Sequence, residues 1–497
     1  MTKNLFRTAD GRSHVVTFAL VSSLFLLWGF CNGMIDVMDK HFQEALHLSL
    51  SQSAWVQFAH YLGYFLMALP AGWLASKLGY KGGIIFGLLM VAIGGFWFIP
   101  ATHIASFWAF LLGVCFIASG LTFLETIANP YTTVLGPQEY GATRINLAQS
   151  CNGIGWIFGP IAGAQFFYST NAAGQSTGAQ TLWIPYAAVG VVVVILAVVF
   201  YRAEIPDIKM EDDYHLDDEK PAALSATDPV PQRGLALLLI WVNIVVLSAA
   251  IGMIASALST LFVAPGASPE ANTLKTFVVA TLALSALGTL VLLAKQKALT
   301  NRSIWSHPHF SSATLTQFFY VAAQSGIFGF FINYMTSQAP VAITNKAAST
   351  LASVGFLCFL AGRFSGAALL KKFSAHNILG LYGAFNVLIC LTIFLKLGWI
   401  SVVGVFLSYF LMSIMFPTIF ALGIFGLGAR AKKASSFIVM AIMGGAIMPK
   451  YMGHLADVHG ISFSFIVPLV CFAVVAAYGF GWSRLSQSDG VIGLAGH

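Results

Sequence analysis

Fourteen apolar runs, each close to the length needed to cross a bilayer, constrain this chain more than any other feature. A membrane-spanning helix needs about 20 predominantly apolar residues. The predicted spans are residues 15–37, 52–76, 82–100, 104–127, 146–168, 183–201, 235–263, 275–294, 311–335, 347–370, 378–396, 400–425, 434–456 and 461–482. Charged residues make up only 9% of the sequence, against about 25% in soluble domains. The sequence therefore predicts an all-α integral membrane protein.

The distribution of positive charge predicts how the chain is oriented. All but six of the 25 Lys and Arg residues fall on one side if the N-terminus is cytoplasmic. The six exceptions are Lys40, Lys275, Lys346 and Lys396, which would face outward, and Arg363 and Lys450, which lie within predicted helices. The positive-inside rule then places both termini in the cytoplasm. With the basic residues explained in this way, the net charge of +7 gives no support to nucleic-acid binding.

A repeated motif divides the chain into two related parts. The sequence FLETIANPYTTVLG at 123–136 reappears as FLMSIMFPTIFALG at 410–423. Arg144, Gly155 and Pro160 correspond in the same way to Lys433, Gly444 and Pro449. A parallel repeat of this kind predicts two structurally equivalent halves with a binding site between them near the middle of the membrane.

The remaining segments complete the predicted domain organisation. Residues 202–234 carry acidic residues, lysines and prolines that suit neither a bilayer nor a packed core, and we predict a cytoplasmic linker there. We assign residues 1–201 and 301–497 to two six-helix halves and residues 235–300 to an inserted pair of transmembrane helices. This pair is interpreted as peripheral, facing lipid or forming a dimer contact.

Two acidic residues within the predicted spans are candidates for ion coupling. A charge at bilayer depth costs about 3 kcal/mol even on a lenient insertion scale, so Glu125 should face the protein interior. A glutamate that is protonated in one state and ionised in another carries a proton, although an ion pair that locks two helices is an alternative. Asp36 is a second candidate, unless the first helix ends there and leaves the carboxylate in solvent.

Amide and aromatic side chains within the spans predict a binding site for a polar solute. Amides both donate and accept hydrogen bonds, as sugar hydroxyls do, and aromatic faces suit the apolar side of a sugar ring. Interhelical hydrogen bonding is the alternative role for such residues. The candidates are Asn32, Gln57, His60, Tyr61, Tyr64, Asn129, Asn146, Gln149, Asn152, Trp156 and Gln324.

Two positive charges lie within the predicted helices. Lys450 has no acidic residue within one turn of its own helix, so it either neutralises Asp36 or Glu125 from across the cavity, contributing to the substrate site, or extends outward. Arg363, nearer the cytoplasmic side, is predicted to act as a gate or as a helix-packing charge. No metal site or cofactor is predicted, and the short loops supply too few acids and histidines for an enzyme.

Several motifs resemble those of the fucose/galactose/glucose:proton symporter family of the major facilitator superfamily. They are LWGFCNGMID (27–36), FLETIANPYTTVLGP (123–137), RINLAQSCN (144–152) and SSFIVMAIMGGAIMP (435–449). The turn at 72–81 also resembles the signature turn of the superfamily, with Ser76 where an aspartate is usual. In contrast, Gly33 and Ile35 stand where members of the family have asparagines.

The resemblance implies a twelve-helix core and sugar uptake driven by a proton gradient across a bacterial inner membrane. It implies that Glu125 is the principal protonation site, that Asp36 is a second acid linked to sugar binding, and that Gln149, Asn152 and Gln324 face the cavity. We expect a monomer that imports L-fucose, with Lys77, Lys81, Arg144 and Arg363 as gating residues. Coupling to sodium, transport of glucose, galactose or N-acetylglucosamine, and a transporter-like sugar receptor remain alternatives.

Overall fold

The fold is taken from a computed structural model of the 497-residue chain. The structure describes residues 6, 13–46, 48–53, 55–136, 141–168, 178–205, 233–259, 269–300, 303–370, 373–425 and 431–486. The side chains of some residues within helices, including Asn129, Arg144 and Asn146, lie outside the described part.

The secondary structure elements described in the first half are helices. They are α1 (Val15–Ala45), α2 (Leu50–Ser53), α3 (Trp55–Ile104), α4 (Phe107–Val134), α5 (Gly141–Phe166), α6 (Gly178–Thr181) and α7 (Trp183–Arg202). The long α3 contains two predicted spans, and Gly79 marks the point where its helical geometry is interrupted, with a φ of 69°. Because glycine adopts this backbone conformation without steric cost, the chain can turn here between the two spans.

The remainder of the chain is also helical wherever it is described. Two long helices, α8 (Arg233–Ser259) and α9 (Pro269–Thr300), come first. The second half then contains α10 (Pro308–Gly329), α11 (Phe331–Gln338), α12 (Asn345–Leu369), α13 (Ala375–Phe394), α14 (Trp399–Met412), α15 (Met415–Ile424), α16 (Ala431–Met440), α17 (Gly444–His459), α18 (Ile461–Ser464) and α19 (Ile466–Ser486).

The number of predicted spans is confirmed only in part. In the described ranges, 10 helices are long and apolar enough to cross a membrane, or up to 11 if α10 and α11 count as one bent span. The predicted spans 52–76, 146–168 and 434–456 fall largely within α3, α5 and α16 to α17, but these segments are not among the 10. The all-helical membrane architecture therefore holds, whereas the count of fourteen is not confirmed.

Several helix boundaries differ from those predicted. The first helix extends to Ala45 instead of ending at residue 37. The predicted span 311–335 is bent by 49° between α10 and α11, and the span 400–425 is interrupted at Ser413 and Ile414. These helices are broken inside apolar sequence, where hydropathy gives no sign of a bend.

Equivalent glycines in the sequence repeat make equivalent packing contacts. A Cβ atom added to Gly155 of α5 would lie 2.2 Å from the carbonyl oxygen of Leu26 in α1. One added to Gly444 of α17 would lie 1.9 Å from the carbonyl oxygen of Phe318 in α10. In each case the glycine lets two backbones approach closely, as small residues do at helix contacts in membranes. This common packing supports the interpretation of the two segments as copies of one unit.

Helices α8 and α9 pack against each other at the edge of the bundle. Trp241 Nε1 of α8 donates to Thr289 Oγ1 of α9 at 3.1 Å. Asn243 Nδ2 of α8 donates to the carbonyl oxygen of Ser311 in α10 at 2.9 Å. Only 6% of the most apolar stretch of α9 is buried. The pair is therefore attached through α8, while α9 presents an apolar surface of the kind that faces lipid, as its peripheral interpretation requires.

Candidate functional site

Asp36 lies inside the protein, on the part of α1 that faces α3. Its side chain is 5% exposed, and Gln57 Nε2 of α3 donates to Asp36 Oδ1 at 3.0 Å. The alternative in which the first helix ends here and leaves Asp36 in solvent is wrong, because α1 continues for more than two turns beyond it. Its last turns remain helical because buried His41 packs on aromatic rings, including that of Phe167.

Asn32 is one helical turn before Asp36 and belongs to the same polar cluster. It is 5% exposed. The hydroxyl oxygen of Tyr64 receives hydrogen bonds from Trp28 Nε1 and from the Asn32 side chain. Asn32, Asp36, Gln57 and Tyr64 thus form a buried polar contact between α1 and α3, which we call the α1–α3 cluster.

Tyr61 connects the α1–α3 cluster to the second half. Its ring occupies the space next to Gly445 of α17, where an added Cβ atom would lie 2.4 Å from the ring. Tyr61 also interacts electrostatically with both Asp36 and Glu125. Buried His60 meets the Tyr61 ring edge-on at 5.0 Å. The two candidate acids are therefore linked to the opposite half through one aromatic side chain.

Glu125 lies on α4 and is half-buried, in agreement with the prediction that it faces the interior. It lines a small cavity together with Leu24, Phe25, Trp28, Leu124 and Ala128. The volume of this cavity, about 10 Å³, is close to the smallest that holds one water molecule. A carboxyl group among mainly apolar neighbours is easier to accommodate when protonated, which is what a proton carrier requires in its loaded state.

The two described candidate amides of α5 differ in their environments: Asn152 lies between two helices of the first half, and Gln149 lies next to the second half. Asn152 is 2% exposed, and its Nδ2 donates to the carbonyl oxygen of Phe25 at 3.4 Å. Its described contact therefore joins α5 to α1, which matches the alternative of interhelical hydrogen bonding. The side chain of Gln149 is half-buried, and Arg363 of α12 donates to the Gln149 carbonyl oxygen at 3.3 Å.

Aromatic rings from both halves meet beside these amides. Trp156 of α5 packs on Phe328 of α10, with ring centroids 5.4 Å apart, and on Phe356 of α12 at 4.7 Å. Tyr409 of α14 lies 4.4 Å from Phe328. Gln324 of α10 is half-buried. Aromatic rings of the two halves therefore pack on each other here, and contact of these rings with the apolar face of a sugar stays a prediction.

Lys450 is not seen next to either of the acids that it was predicted to neutralise. Its Nζ atom lies 3.4 Å from the centre of the Trp55 ring, and no ion pair of Lys450 with Asp36 or Glu125 is seen among the described contacts. The Trp55 ring at the start of α3 lies next to the ammonium group of Lys450, and an aromatic face attracts a cation. Lys450 therefore joins α17 to α3, instead of neutralising an acid.

The other cations predicted as gates have local contacts. Lys77 Nζ lies 4.2 Å from the Trp73 ring centre on the same helix. Lys81 Nζ donates to the carbonyl oxygen of Ala203, just after the end of α7, at 2.9 Å. Among the three of these cations whose side chains are described, Arg363 is the one with a contact to the opposite half, through Gln149. The side chains of Arg144 and Asn129 lie outside the described residues.

A model of the Major Facilitator Superfamily matches residues 16–449 of the sequence. The chain belongs to this superfamily. It is 33% identical to the "L-fucose-proton symporter" of Escherichia coli strain K12, with 94% of this chain and 93% of the relative covered. It is 28% identical to the "Glucose/galactose transporter" of Brucella abortus biovar 1, covering 97% and 98%. The resemblance predicted from the sequence motifs is thereby confirmed.

Solved structures of the superfamily share this fold. The E. coli transporter FucP in its outward conformation matches with a TM-score of 0.59 and 30% identity, over 95% of this chain and 100% of FucP. A D-xylose-proton symporter matches with a TM-score of 0.61 over 96% of this chain and 99% of its own, but its identity is 10%, so it supports the fold alone. The relatives named here are transporters.

The candidate residues predicted from the sequence do not include the buried polar group of Tyr409. Tyr409 is fully buried, and its hydroxyl group has no hydrogen-bond partner among the described residues. It lies in an apolar run of α14, where a tyrosine is normally interpreted as a packing residue. The only signal in the sequence is its position, three residues before Met412, which is the counterpart of Glu125 in the repeat.

Proposed function

We propose that this protein is a secondary active transporter that imports a monosaccharide together with a proton by alternating access. The observation that carries the proposal is the buried α1–α3 cluster, in which Asp36 accepts from Gln57 at 3.0 Å, together with Tyr61 of α3, whose ring packs next to Gly445 of the second half. Similarity to a named L-fucose-proton symporter and to glucose/galactose transporters supports a sugar as the substrate, and L-fucose is the first candidate.

In the proposed cycle, protonation of Glu125 lowers the cost of closing the cavity around it. The sugar then bridges the two halves through Asp36, Asn32, Tyr61, Gln149, Asn152 and Gln324. Opening on the opposite side of the membrane releases sugar and proton. An uncompensated carboxylate in a closed, apolar site is unfavourable, and this cost makes closure depend on the proton.

We further propose fourteen spans with both termini in the cytoplasm of a bacterium and the protein in its inner membrane. The halves are residues 1–201 and 301–497, joined by the linker 202–234 and the helix pair 235–300. In this orientation α2 and the end of α17 are on the outer side. Arg363 is proposed as a gate because it contacts Gln149 of the opposite half.

The test is the change of external pH when L-fucose, D-glucose, D-galactose or N-acetylglucosamine is added to de-energised vesicles that contain the protein. A symporter carries protons inward with the sugar, so the external medium should become more alkaline with its substrate only. If none of the four changes the external pH while labelled sugar enters in the presence of sodium, proton coupling is wrong. If no labelled sugar enters at all, the sugar proposal is wrong as well.

A further inference from the structure

Gln317 of α10 is a buried amide side chain without a hydrogen-bond partner. Its exposed fraction is 0%, and neither its Oε1 nor its Nε2 atom is bonded to a group in the described part of the chain. Buried amides are normally bonded, because the loss of their hydrogen bonds to water is otherwise uncompensated. Asn386 of α13 shows the usual arrangement, since it donates to the carbonyl oxygen of Tyr382 at 3.2 Å and accepts from Ser408 at 2.6 Å. Gln317 therefore destabilises the conformation in which it is enclosed.

Gln317 lies on the side of α10 that packs against α15. Ala313, one turn before Gln317, meets Gly423 of α15, where an added Cβ atom would lie 2.6 Å from the Ala313 side chain. Tyr320, one turn after Gln317, packs its ring on Phe416 of α15, with the ring centroids 6.5 Å apart. Residues three or four positions apart are neighbours on one side of a helix, so the amide of Gln317 is enclosed where α10 and α15 meet.

Hydrogen bonds from α10 hold the chain at both ends of α15. Before α15 begins, the carbonyl oxygen of Met412 accepts from the Tyr320 hydroxyl at 2.9 Å. Where α15 ends, the carbonyl oxygen of Phe425 accepts from His309 Nε2 at 2.9 Å. Both acceptors are carbonyl groups at helix ends, which need partners from outside their own helix. The contact between α10 and α15 is therefore bonded at its two ends and unsatisfied at Gln317, in its middle.

The break between α14 and α15 allows α15 to move without α14. The two helices are separated at Ser413 and Ile414, and Ser413 Oγ donates to the carbonyl oxygen of Phe410 at 2.7 Å. In a continuous helix that carbonyl oxygen would accept from the backbone nitrogen of Ile414, so the serine side chain takes the place of the lost bond. Helices bend where a side chain enters the hydrogen-bond ladder in this way. We therefore interpret α15 as a short helical segment with a hinge at its start.

We propose that Gln317 weakens the contact between α10 and α15, so that α15 separates from α10 about the break at Ser413 and Ile414. In the closed form of this contact, which the structure shows, the amide is unpartnered. In the open form water reaches the amide and bonds to it, so Gln317 shifts the balance toward the open form. The hydrogen bonds of Tyr320 and His309 oppose this shift. The movement lies within the second half and does not depend on which solute is transported.

The test is hydrogen–deuterium exchange of the α15 backbone in the purified full-length protein without sugar. The variants are Gln317→Met and Gln317→Glu. Methionine is unbranched like glutamine but carries no amide, so it removes the unpartnered group and keeps the packing. Glutamate keeps a polar group of the same size in the same place. Exchange of protected amides follows the population of locally open forms, so the exchange rate of α15 reports how often it leaves α10.

For Gln317→Met we expect exchange in α15 to slow about tenfold, as expected when one unsatisfied buried group is removed. Gln317→Glu should exchange at least as fast as the wild type. Asn386→Leu is the matched control, because it removes a buried amide that is bonded and leaves Ser408 without its acceptor; it should not slow exchange in α15. His309→Phe, which removes the bond to Phe425, should accelerate exchange in α15 about fivefold, as for the loss of one hydrogen bond.

Two results would overturn this role for Gln317. If Gln317→Met exchanges in α15 as fast as the wild type or faster, the amide does not weaken the contact. If Gln317→Met slows exchange in α14 and α15 by the same factor, the second half has tightened as a whole, and α15 does not move as a unit. Gln317→Leu provides a second apolar replacement if Gln317→Met does not fold, and it should slow exchange in α15 in the same way.

Discussion

In the proposed cycle, proton coupling depends on Glu125, a carboxyl group in a small and mainly apolar cavity. The substitution Glu125→Gln keeps the size of the side chain and resembles its protonated form. We therefore expect the variant to exchange labelled sugar across vesicle membranes at a rate within about threefold of the wild type, whereas accumulation against a gradient should be lost. Each measurement uses the same vesicles, with and without an imposed pH gradient.

Two outcomes would contradict this role for Glu125. Uphill accumulation by Glu125→Gln would show that another group carries the proton. Loss of exchange together with loss of accumulation would show that the carboxylate is needed for structure or binding. Glu204→Gln is a suitable control, because Glu204 also carries a carboxylate but is exposed just after the end of α7, away from the α1–α3 cluster.

Much of the candidate site could be predicted from residue type alone, but not its contacts. Polar and charged side chains are expensive in a membrane, so Asp36, Glu125 and Asn152 were conspicuous in an apolar sequence. Their partners depend on which helices pack together, and the sequence does not give this. Lys450, for example, meets the ring of Trp55, a residue nearly 400 positions earlier in the chain. Tyr409 was missed because an unsatisfied hydroxyl is visible only when its surroundings are known.

At the scale of elements, the glycines of α5 and α17 determine how each half is packed. A methyl group at Gly155 or Gly444 would overlap a backbone carbonyl oxygen of α1 or α10, and backbone cannot move aside as a flexible side chain can. Overpacking costs about 1–3 kcal/mol, and a chain of this length has an unfolding entropy of about 1 kcal/mol per degree. We therefore expect Gly155→Ala and Gly444→Ala each to lower the melting temperature of the detergent-solubilised protein by about 1–3 °C. The measurement is thermal unfolding followed by intrinsic fluorescence.

Gly481→Ala in α19 is the matched control for these substitutions. It also introduces a methyl group into a transmembrane helix, but no atom lies within 4 Å of the added Cβ. Because alanine is the better helix former, its melting temperature should equal or exceed that of the wild type. If Gly155→Ala and Gly444→Ala behaved like Gly481→Ala, the close approach of α5 to α1 and of α17 to α10 would be wrong.

Hydropathy predicted where helices exist but not how each one ends or bends. It measures how well a segment suits lipid, and the end of α1 contains Lys40, His41 and Gln43, which lower that measure. The helix nevertheless continues, because buried His41 and Phe42 pack on aromatic rings of neighbouring elements. Tertiary contacts therefore extend a helix beyond its apolar run.

At the scale of the whole molecule, the halves are in contact at the end of the bundle that carries α2. Lys450 of α17 lies on the ring of Trp55, and the backbone nitrogen of Leu50 in α2 donates to Asp457. Ser349 and Ser353 of α12 donate to backbone carbonyl oxygens of α5 at 2.8 and 2.7 Å. Alternating access requires such contacts to break and re-form, so they should control how often this end opens.

The Lys450–Trp55 contact provides the test of this closure. A cation on a desolvated aromatic face contributes about 2 kcal/mol, and Trp55→Leu removes the face while keeping an apolar side chain. We expect the open population at this end to increase about tenfold or more. The measurement is the labelling rate of Ser349→Cys by a maleimide in a chain without its six native cysteines, since Ser349 is fully buried between α12 and α5.

The substitution Trp108→Leu distinguishes loss of the Lys450–Trp55 contact from a general loosening of the packing around Trp55. Trp108 lies 5.9 Å from the Trp55 ring but is itself 47% exposed, and its described ring contacts are with Trp55 and Phe107. The substitution Trp108→Leu should leave the labelling rate of Ser349→Cys within about twofold of the rate in the chain with both tryptophans. The reason is that a substitution of an exposed side chain outside the Lys450–Trp55 contact has a small effect on stability. Equal acceleration by both tryptophan substitutions would assign the effect to packing, whereas acceleration by Trp55→Leu alone would make Lys450 a latch between the halves. In that case its ammonium group, released when this end opens, would be free to meet the substrate only in the open state.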